Sequence, residues 1–343
     1  MTTGREAEML FEFDSDQRLW QRTVRDAVSK ECTAAFVRSI ADAGADPEPL
    51  WRTYRKLGWT ELVDPSEAVE LGILLEELGH AVDPTPYLAT MTQFAPLVPA
   101  AAGDGTPGTA VFSGVAARAD GDGWVLDGTA RHALDADRAE RLAVVTGAGV
   151  FVVPAAAVSV APLYVFDPLL HVADVTFEGV RVGEADRSGA DPERARQLAL
   201  AGLAMTAVGA CRRILDLTLE HVRGRHQFGA PIGSFQAVQH KAADMHVAIE
   251  RARALAYFAM MTIAADDPRR PLAAAMAKAS AGECQALVFR HGVQLFGAMG
   301  NTWENDLQFA LKRAKSCELL LGGAAEHRAV IADIVGDGHA HQF

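Results

Sequence analysis

Two stretches in the second half of the chain carry side chains that could bind an anionic or aromatic ligand. They contain Arg225, Gln227 and Phe228, and then Gln294 and Gly297. A guanidinium makes directed, charge-assisted hydrogen bonds to anionic groups, and an amide can bond to the same groups. A phenylalanine ring packs on other rings, and a glycine lets a ligand approach the backbone. The alternative is an ordinary helix-bundle loop whose arginine forms a surface ion pair.

Histidines and cysteines form no metal-binding pattern. His221 and His226 flank the arginine stretch, and His240 could share a helix face with Asp244. Two ligands fall short of a site, and no HExxH motif occurs. The four cysteines lie far apart without a CxxC pair, which is typical of reduced thiols that pack in a core. We therefore predict no metal site. Neither GxGxxG after a strand nor a P-loop motif is present, so we also predict no Rossmann or P-loop nucleotide site.

Composition and charge exclude several classes of function. The 343 residues are 50% hydrophobic and 22% charged, as in a soluble globular protein. The net charge of −12 disfavours binding to nucleic acid and to anionic membranes. The polar, acidic start of the chain lacks an export signal, so we expect a cytoplasmic location. Two uncharged runs, 142–166 and 197–211, are predicted to form strands with turns and a buried helix rather than membrane spans.

Hydrophobic periodicity divides the chain into three parts, which we place at residues 1–107, 108–187 and 188–343. The first part has helical spacing. The second has short β-branched runs separated by glycine turns, which predicts a compact β domain. The third returns to the helical period and is predicted to form a four-helix bundle. Its predicted helices lie near residues 193–222, 233–265, 271–299 and 324–336. The predicted fold class is therefore α+β and mainly α.

Specific motifs in all but the first part resemble those of one family. The segments from Arg225 to Ile232 and from Phe235 to Met245 closely resemble the signature of the acyl-CoA dehydrogenase family. The segment from Val293 to Gly300 resembles its second flavin-contacting motif. The segments from Gly123 to Thr129 and from Val175 to Val182 are similar to strand motifs of its β domain. With the predicted helical start, the resemblance extends over almost the whole chain in the expected order.

The resemblance implies FAD as cofactor and an acyl thioester of coenzyme A as substrate. In the family, a carboxylate removes the proton α to the carbonyl, and hydride passes from the β carbon to the flavin. The family's loop around this arginine and a later Gln-Gly-Gly turn contact the FAD of a neighbouring subunit. The FAD contacts implied for this chain are Arg225, Gln227, Phe228, Gln294, Gly297 and Ala298. The family usually has a second glycine where Ala298 stands, so its methyl group changes the approach of the pyrophosphate.

The residues that would complete an active site depart from the family pattern. The position of the catalytic glutamate holds Leu321, which cannot accept a proton. The other family location of the base corresponds to Ala199, in a stretch without any acid. The loop with Thr-Glu-Pro and Gly-Ser-Asp, which holds the flavin of the same subunit, is replaced by the shorter stretch from Thr109 to Arg118.

This combination resembles the short subunit of the heteromeric acyl-CoA dehydrogenases of actinobacteria. In that branch a shorter subunit without the base pairs with a longer subunit that has it, and the substrate is often a CoA-linked steroid side chain. We therefore predict a heterotetramer in which this chain lends FAD contacts, while the longer partner supplies the base and binds most of the acyl-CoA. The resemblance also implies electron-transfer flavoprotein as the electron acceptor.

Two other interpretations stay open. One is a self-sufficient homo-oligomeric acyl-CoA dehydrogenase with a relocated base, for which Glu304 and Glu318 are candidates. Surface carboxylates paired with Lys312, Arg313 or Lys315 are a simpler explanation of both residues. The other interpretation is a scaffold or binding protein of the same fold that has lost flavin. Retention of the arginine stretch argues against a scaffold, which has no need of it.

Overall fold

The structure is a computed structural model that describes residues 12–99 and 104–340. It confirms the predicted fold class, which is α+β and mainly α. The first eleven residues, on which most of the export-signal prediction rests, lie outside the described residues. The N-terminal helices are α1 (Ser15–Glu31), α2 (Ala34–Ala43), α3 (Glu48–Lys56), α4 (Ala68–Ala81) and α5 (Tyr87–Ala89). A π turn, Thr90–Phe94, continues α5 towards the first strand.

Eight strands form two four-stranded sheets in the middle of the chain. They are β1 (Gly108–Val111), β2 (Val115–Asp120), β3 (Gly123–Leu134), β4 (Arg141–Thr146), β5 (Gly149–Pro154), β6 (Ser159–Pro162), β7 (Val172–Val182) and β8 (Arg187–Ser188). One sheet has the order β1-β4-β5-β8 and the other β2-β3-β7-β6. The β1–β4 pair is parallel, and the remaining pairs are antiparallel. Side chains from both sheets, including Leu126, Phe151 and Phe177, share one buried core.

Long helices fill the rest of the chain. They are α6 (Pro192–Gly224), α7 (Gln236–Ala264), α8 (Arg270–Phe296), α9 (Leu307–Leu319) and α10 (Ala324–Ala340). A small hairpin of β9 (His226–Gln227) and β10 (Ala230–Pro231) joins α6 to α7. The start of α6 follows from its sequence, because the Asp191 carboxylate caps the helix and Pro192 occupies its first turn.

Helix α6 lies at the centre of the molecule. By length and composition it could cross a membrane, but 83% of its most apolar 18-residue window is buried inside the fold. It packs closely on α4, since a β carbon on Gly209 would lie 2.0 Å from the Glu76 carbonyl oxygen. A β carbon on Gly79 would likewise lie 2.3 Å from the Thr206 carbonyl oxygen. Glycine at both positions allows the N-terminal helices to rest directly on the bundle.

Candidate functional site

The hairpin after α6 carries the first group of candidate residues, and we call residues 224–232 the arginine loop. Between its strands, Phe228 and Gly229 have φ angles of 54° and 81°. Positive φ at both central positions is typical of a type I′ turn, which favours Asn-Gly over an aromatic residue. Phe228 nevertheless occupies this strained position, and it is 95% exposed. The N–H of Ile232 donates to the Arg225 carbonyl at 2.8 Å and closes the base of the loop.

The second group of candidates lies at the end of α8. Helix α8 ends at Phe296, and Gly297 follows with a φ of 64°. A β carbon on Gly297 would meet no atom of the described residues within 4 Å, so a ligand can reach the backbone there. Gln294 and Ala298 are exposed at the same end of the helix.

The structure brings the two groups together at one end of the bundle. His221, in the last turn of α6, stacks on Phe296 with ring centroids 4.3 Å apart and an interplanar angle of 14°. One turn earlier in α8, a β carbon on Gly292 would lie 2.7 Å from Ile214 Cγ2, so the two helices are in close contact. Burial, followed by the positive charge of Arg225, lowers the pKa of His221. The stacked pair thus holds the arginine loop beside the end of α8.

The side chains of this surface point away from the core of the chain. Arg225, Gln227 and Phe228 are all exposed. Within the part of the chain that the structure describes, Arg225 forms no ion pair. The Gln227 amide donates to the adjacent His226 carbonyl at 2.7 Å. A guanidinium that is free of carboxylates can therefore bind an anionic group that another molecule supplies.

The predicted base position lies in the turn between α9 and α10. Leu321 adopts a φ of 56° and Gly322 a φ of 97°. Lys278 Nζ donates to the carbonyls of Glu318 at 2.7 Å and Gly322 at 2.6 Å. His327 Nε2 hydrogen-bonds to the Leu321 carbonyl at 3.0 Å. Burial lowers the pKa of Lys278 to about 8. Side-chain hydrogen bonds to backbone carbonyls thus fix a turn that presents leucine where the family presents a base.

Leu321 lines a cavity of about 590 Å³ between the β region and the bundle. Segments 110–113 and 130–134 form its walls on the β side, and segment 319–322 forms the wall on the bundle side. The first segment belongs to the stretch that replaces the family's flavin loop. None of the described lining residues carries a carboxylate. The two departures from the family pattern therefore face one cavity, whose described lining has no carboxylate that could act as the family's base.

The other candidate acids lie outside this cavity. Glu318 pairs with Lys315 Nζ at 2.6 Å. Glu304 is exposed, and its backbone carbonyl accepts a hydrogen bond from Arg38 Nη2 at 3.1 Å. Ala199, at the second family location, is fully buried in α6. Glu304 thus has the surroundings of a surface carboxylate, whereas Glu318 is a half-buried, ion-paired carboxylate, and neither lines the cavity beside Leu321.

The cavity lining also includes polar residues that are not among the sequence candidates, such as Gln93, Arg131 and His132. Gln93 lies in the π turn, and the other two lie in an irregular part of β3. Neither irregularity has a local signature, because both depend on how distant segments pack. Among the described residues, no group of three histidine, cysteine or acidic side chains could hold a metal ion. The four cysteines are free and buried, as their spacing predicted.

Comparisons with known proteins agree with this geometry. A family model described as the C-terminal domain of acyl-CoA dehydrogenase matches residues 198–336. The chain is 32% identical over 321 residues to acyl-CoA dehydrogenase IpdE2 of Mycobacterium tuberculosis, covering 91% of this chain and 94% of that protein. A chain of the ChsE4-ChsE5 complex from Mycobacterium tuberculosis superposes with a TM-score of 0.87 at 25% identity, covering 96% of this chain and 99% of that one. The Tcur3481-Tcur3483 steroid ACAD gives a TM-score of 0.82 at 25% identity, with coverages of 95% and 99%.

The order of helices, β region and bundle, taken with these relatives, identifies the class of FAD-dependent dehydrogenases. The chain belongs to the acyl-CoA dehydrogenase family, whose enzymes use FAD. The resemblance drawn from the motifs is thereby confirmed.

The exposed surface fits one side of a FAD site. FAD carries a pyrophosphate, two aromatic ring systems and a ribose, and the surface offers a donor or a contact for each kind of group. Arg225 is a cation without a carboxylate partner in the described chain, and Phe228 exposes a ring. The open backbone at Gly297 allows close approach of a bulky anion. In the described chain these residues lie on an open surface and do not enclose a cofactor.

Proposed function

We propose that the chain is a subunit of a FAD-dependent acyl-CoA dehydrogenase that lends FAD contacts to a longer partner subunit. One observation carries the proposal: the FAD-type residues are exposed on one surface, whereas the chain's own cavity has Leu321 in place of a base. A self-sufficient enzyme needs both functions in reach of one substrate. A composite enzyme needs the first from this chain and the second from its partner.

Each exposed residue has a separate task in this proposal. Arg225 bonds to the pyrophosphate or ribose of FAD, and Gln227 and Gln294 add amide hydrogen bonds. Phe228 packs against the adenine or the edge of the flavin. Gly297 leaves room for the pyrophosphate. FAD supplies the redox chemistry by accepting hydride from the β carbon of the acyl group. The partner's carboxylate removes the α proton.

The relatives support this assignment and its finer points. One similar structure is the ChsE4-ChsE5 complex, and another is a steroid ACAD with two named components. By analogy, we propose a hetero-oligomer that acts on a CoA-linked steroid side chain. From the sequence we further propose that it is a heterotetramer and that it is cytoplasmic. Electron-transfer flavoprotein is the proposed acceptor of electrons from the reduced flavin.

The spectrum of the purified protein tests this proposal. The chain should be produced alone and together with a longer acyl-CoA dehydrogenase from the same organism. A colourless lone chain and a yellow complex that acyl-CoA bleaches without oxygen are the expected results. A lone chain that carries one flavin per chain and is bleached by acyl-CoA would overturn the proposal. Substitution of Glu304 and Glu318 would then identify its base.

A further inference from the structure

A cavity of about 510 Å³ lies between the N-terminal helices and α6, and we call it the α1–α6 cavity. Its walls come from α1, α2, the end of α4, the middle of α6 and the start of α9. It shares no described lining residue with the cavity beside Leu321, and none of the candidate FAD contacts lines it. Its apolar floor consists of side chains that are at most 4% exposed: Val28, Cys32, Val37, Val82 and Phe309. The volume is within the range of pockets that hold small organic ligands.

One wall of this cavity belongs to a network in which three arginines share two buried carboxylates. Glu77 accepts a hydrogen bond from Arg25 Nη2 at 2.8 Å and another from Arg212 Nη1 at 3.2 Å. Glu76 accepts from the same Arg212 nitrogen at 2.7 Å and from Arg253 Nε at 2.8 Å. Both carboxylates are at most 3% exposed. Three guanidinium charges therefore meet two carboxylate charges, and one positive charge in the network has no counterion.

Guanidinium donors at this wall are also unused. Within the described chain, Arg212 donates only through Nη1, which leaves its Nε and Nη2 without acceptors. The next residue of α6, Arg213, is half-buried and lines the cavity, and its guanidinium bonds to none of the residues that the structure describes. The nearby Asp216 carboxylate pairs with His80 Nε2 at 2.9 Å instead. Charged groups in protein interiors are normally paired, so these donors favour an anion from outside the chain.

The surroundings of these donors select the kind of anion. A carboxylate matches the planar fork of a guanidinium and brings the single negative charge that the network lacks. The Glu77 carboxylate lies in the same wall and would repel a doubly charged phosphate. The apolar floor adds burial for a hydrophobic body of the ligand. The cavity therefore suits an anion with one carboxylate and an apolar remainder.

We propose that the α1–α6 cavity binds a small organic monocarboxylate. Its carboxylate pairs with Arg213 and with the unused donors of Arg212, and its apolar body rests on the floor formed by Val37, Val82 and Phe309. Such a ligand contacts both the N-terminal helices and the bundle, so its binding also stabilises the junction between them. This inference goes beyond the shared FAD site and does not depend on it.

Isothermal titration calorimetry of the full-length chain tests this inference. The probes are 2-naphthoate, which is a fused-ring monocarboxylate, and 2-naphthamide, which is its neutral isostere. We expect saturable binding of 2-naphthoate with one molecule per chain. Binding of 2-naphthamide should be at least about tenfold weaker, because the charge-assisted contact is lost.

Substitutions in α6 locate the bound carboxylate. Arg213→Met keeps an apolar stem and removes the guanidinium, so it should weaken 2-naphthoate binding about tenfold. Arg223→Met, at an exposed position near the end of the same helix, is the matched control and should bind like the wild type. Binding that is lost in Arg225→Ala but kept in a folded Arg213→Met would place the probe on the FAD surface and would overturn the inference.

A second variant guards against misfolding of the first. Ser29→Trp adds bulk at an exposed lining position of α1 without removing a charge, so it should also weaken 2-naphthoate binding. Thr23→Trp, exposed on the same helix outside the described lining, should not. Circular dichroism checks the folding of each variant. No saturable binding by wild type, equal binding of the two probes, or wild-type affinity in folded Arg213→Met or Ser29→Trp would overturn the inference. The colour of the partner complex is a separate readout, so the shared FAD site and the carboxylate site can fail independently.

Discussion

At the scale of single residues, the candidate FAD contacts are exposed, whereas leucine stands at the position of the family's base. Leu321 occupies a turn whose backbone is fixed by Lys278 and His327, so the turn persists although its glutamate is absent. Arg225 and Phe228 are exposed, and Phe228 retains an unfavourable backbone conformation. Strain kept on an exposed aromatic residue indicates a function for that residue outside the isolated chain.

Phe228→Asn should separate stability from function. Asn-Gly is preferred in a type I′ turn, so the variant should raise the free energy of unfolding of the lone chain by about 0.5–1 kcal/mol. Loss of the ring should lower the FAD content of the partner complex. Urea unfolding and flavin absorbance measure the two effects. A variant that is less stable than wild type, or that retains full FAD content, would contradict the role given to Phe228.

Asp83 should make stability depend on pH. Burial raises the pKa of its carboxyl to about 6, although Tyr54 and Thr85 donate hydrogen bonds to it. Because the folded-state pKa is above the unfolded value of 3.8, the protonated group stabilises the fold below about pH 4. This contribution, of the order of 3 kcal/mol, is lost as the pH rises through about 6.

Asp83→Asn removes this titration. Wild type should lose this stabilisation between about pH 4.5 and about pH 7.5, whereas the variant should not. The free energy of unfolding of the variant minus that of wild type should therefore be larger at the higher pH. Urea unfolding at both pH values measures it, and Asp122→Asn at an exposed turn is the control. A difference between variant and wild type that is the same at both pH values would refute the assignment.

At the scale of elements, the close contact of α4 with α6 anchors the N-terminal helices to the bundle. Gly209→Ala would place a methyl group 2.0 Å from the Glu76 carbonyl oxygen, so the helices would have to separate. We expect a loss of about 3 kcal/mol in the free energy of unfolding. Gly224→Ala, at the end of α6 with no described atom within 4 Å, should be neutral or slightly stabilising. Equal thermal stability of both variants would show that this contact is unimportant.

Local sequence signals predicted most elements of the fold. The Asp191-Pro192 pair, for example, predicted the start of a helix near residue 193, and α6 begins at Pro192. The helical period likewise predicted a helix near 233–265, and α7 covers Gln236–Ala264. The π turn and the bulge at His132 were not predictable, because packing between distant segments produces both. The cavity they enclose was therefore invisible in the sequence.

At the scale of the whole molecule, the candidate FAD contacts and the cavity at the family's base position lie in different places. The exposed FAD-type residues are at one end of the bundle, where His221 and Phe296 join α6 to α8. The cavity beside Leu321 lies between the β region and the bundle. The motifs predicted the composition of the first surface, but the stacking that assembles it needed the structure. This separation supports an assembly in which a second chain completes the active site.

The FAD content of the complex with the longer partner tests this account most directly. We predict one FAD per pair of chains in the wild-type complex. Arg225→Ala should lower the affinity of the complex for FAD at least about tenfold, because a charge-assisted contact is lost. Arg223→Ala, two residues away and also exposed, should retain the wild-type content. Gel filtration confirms that each complex is intact. Unchanged FAD affinity in an intact Arg225→Ala complex would contradict the account.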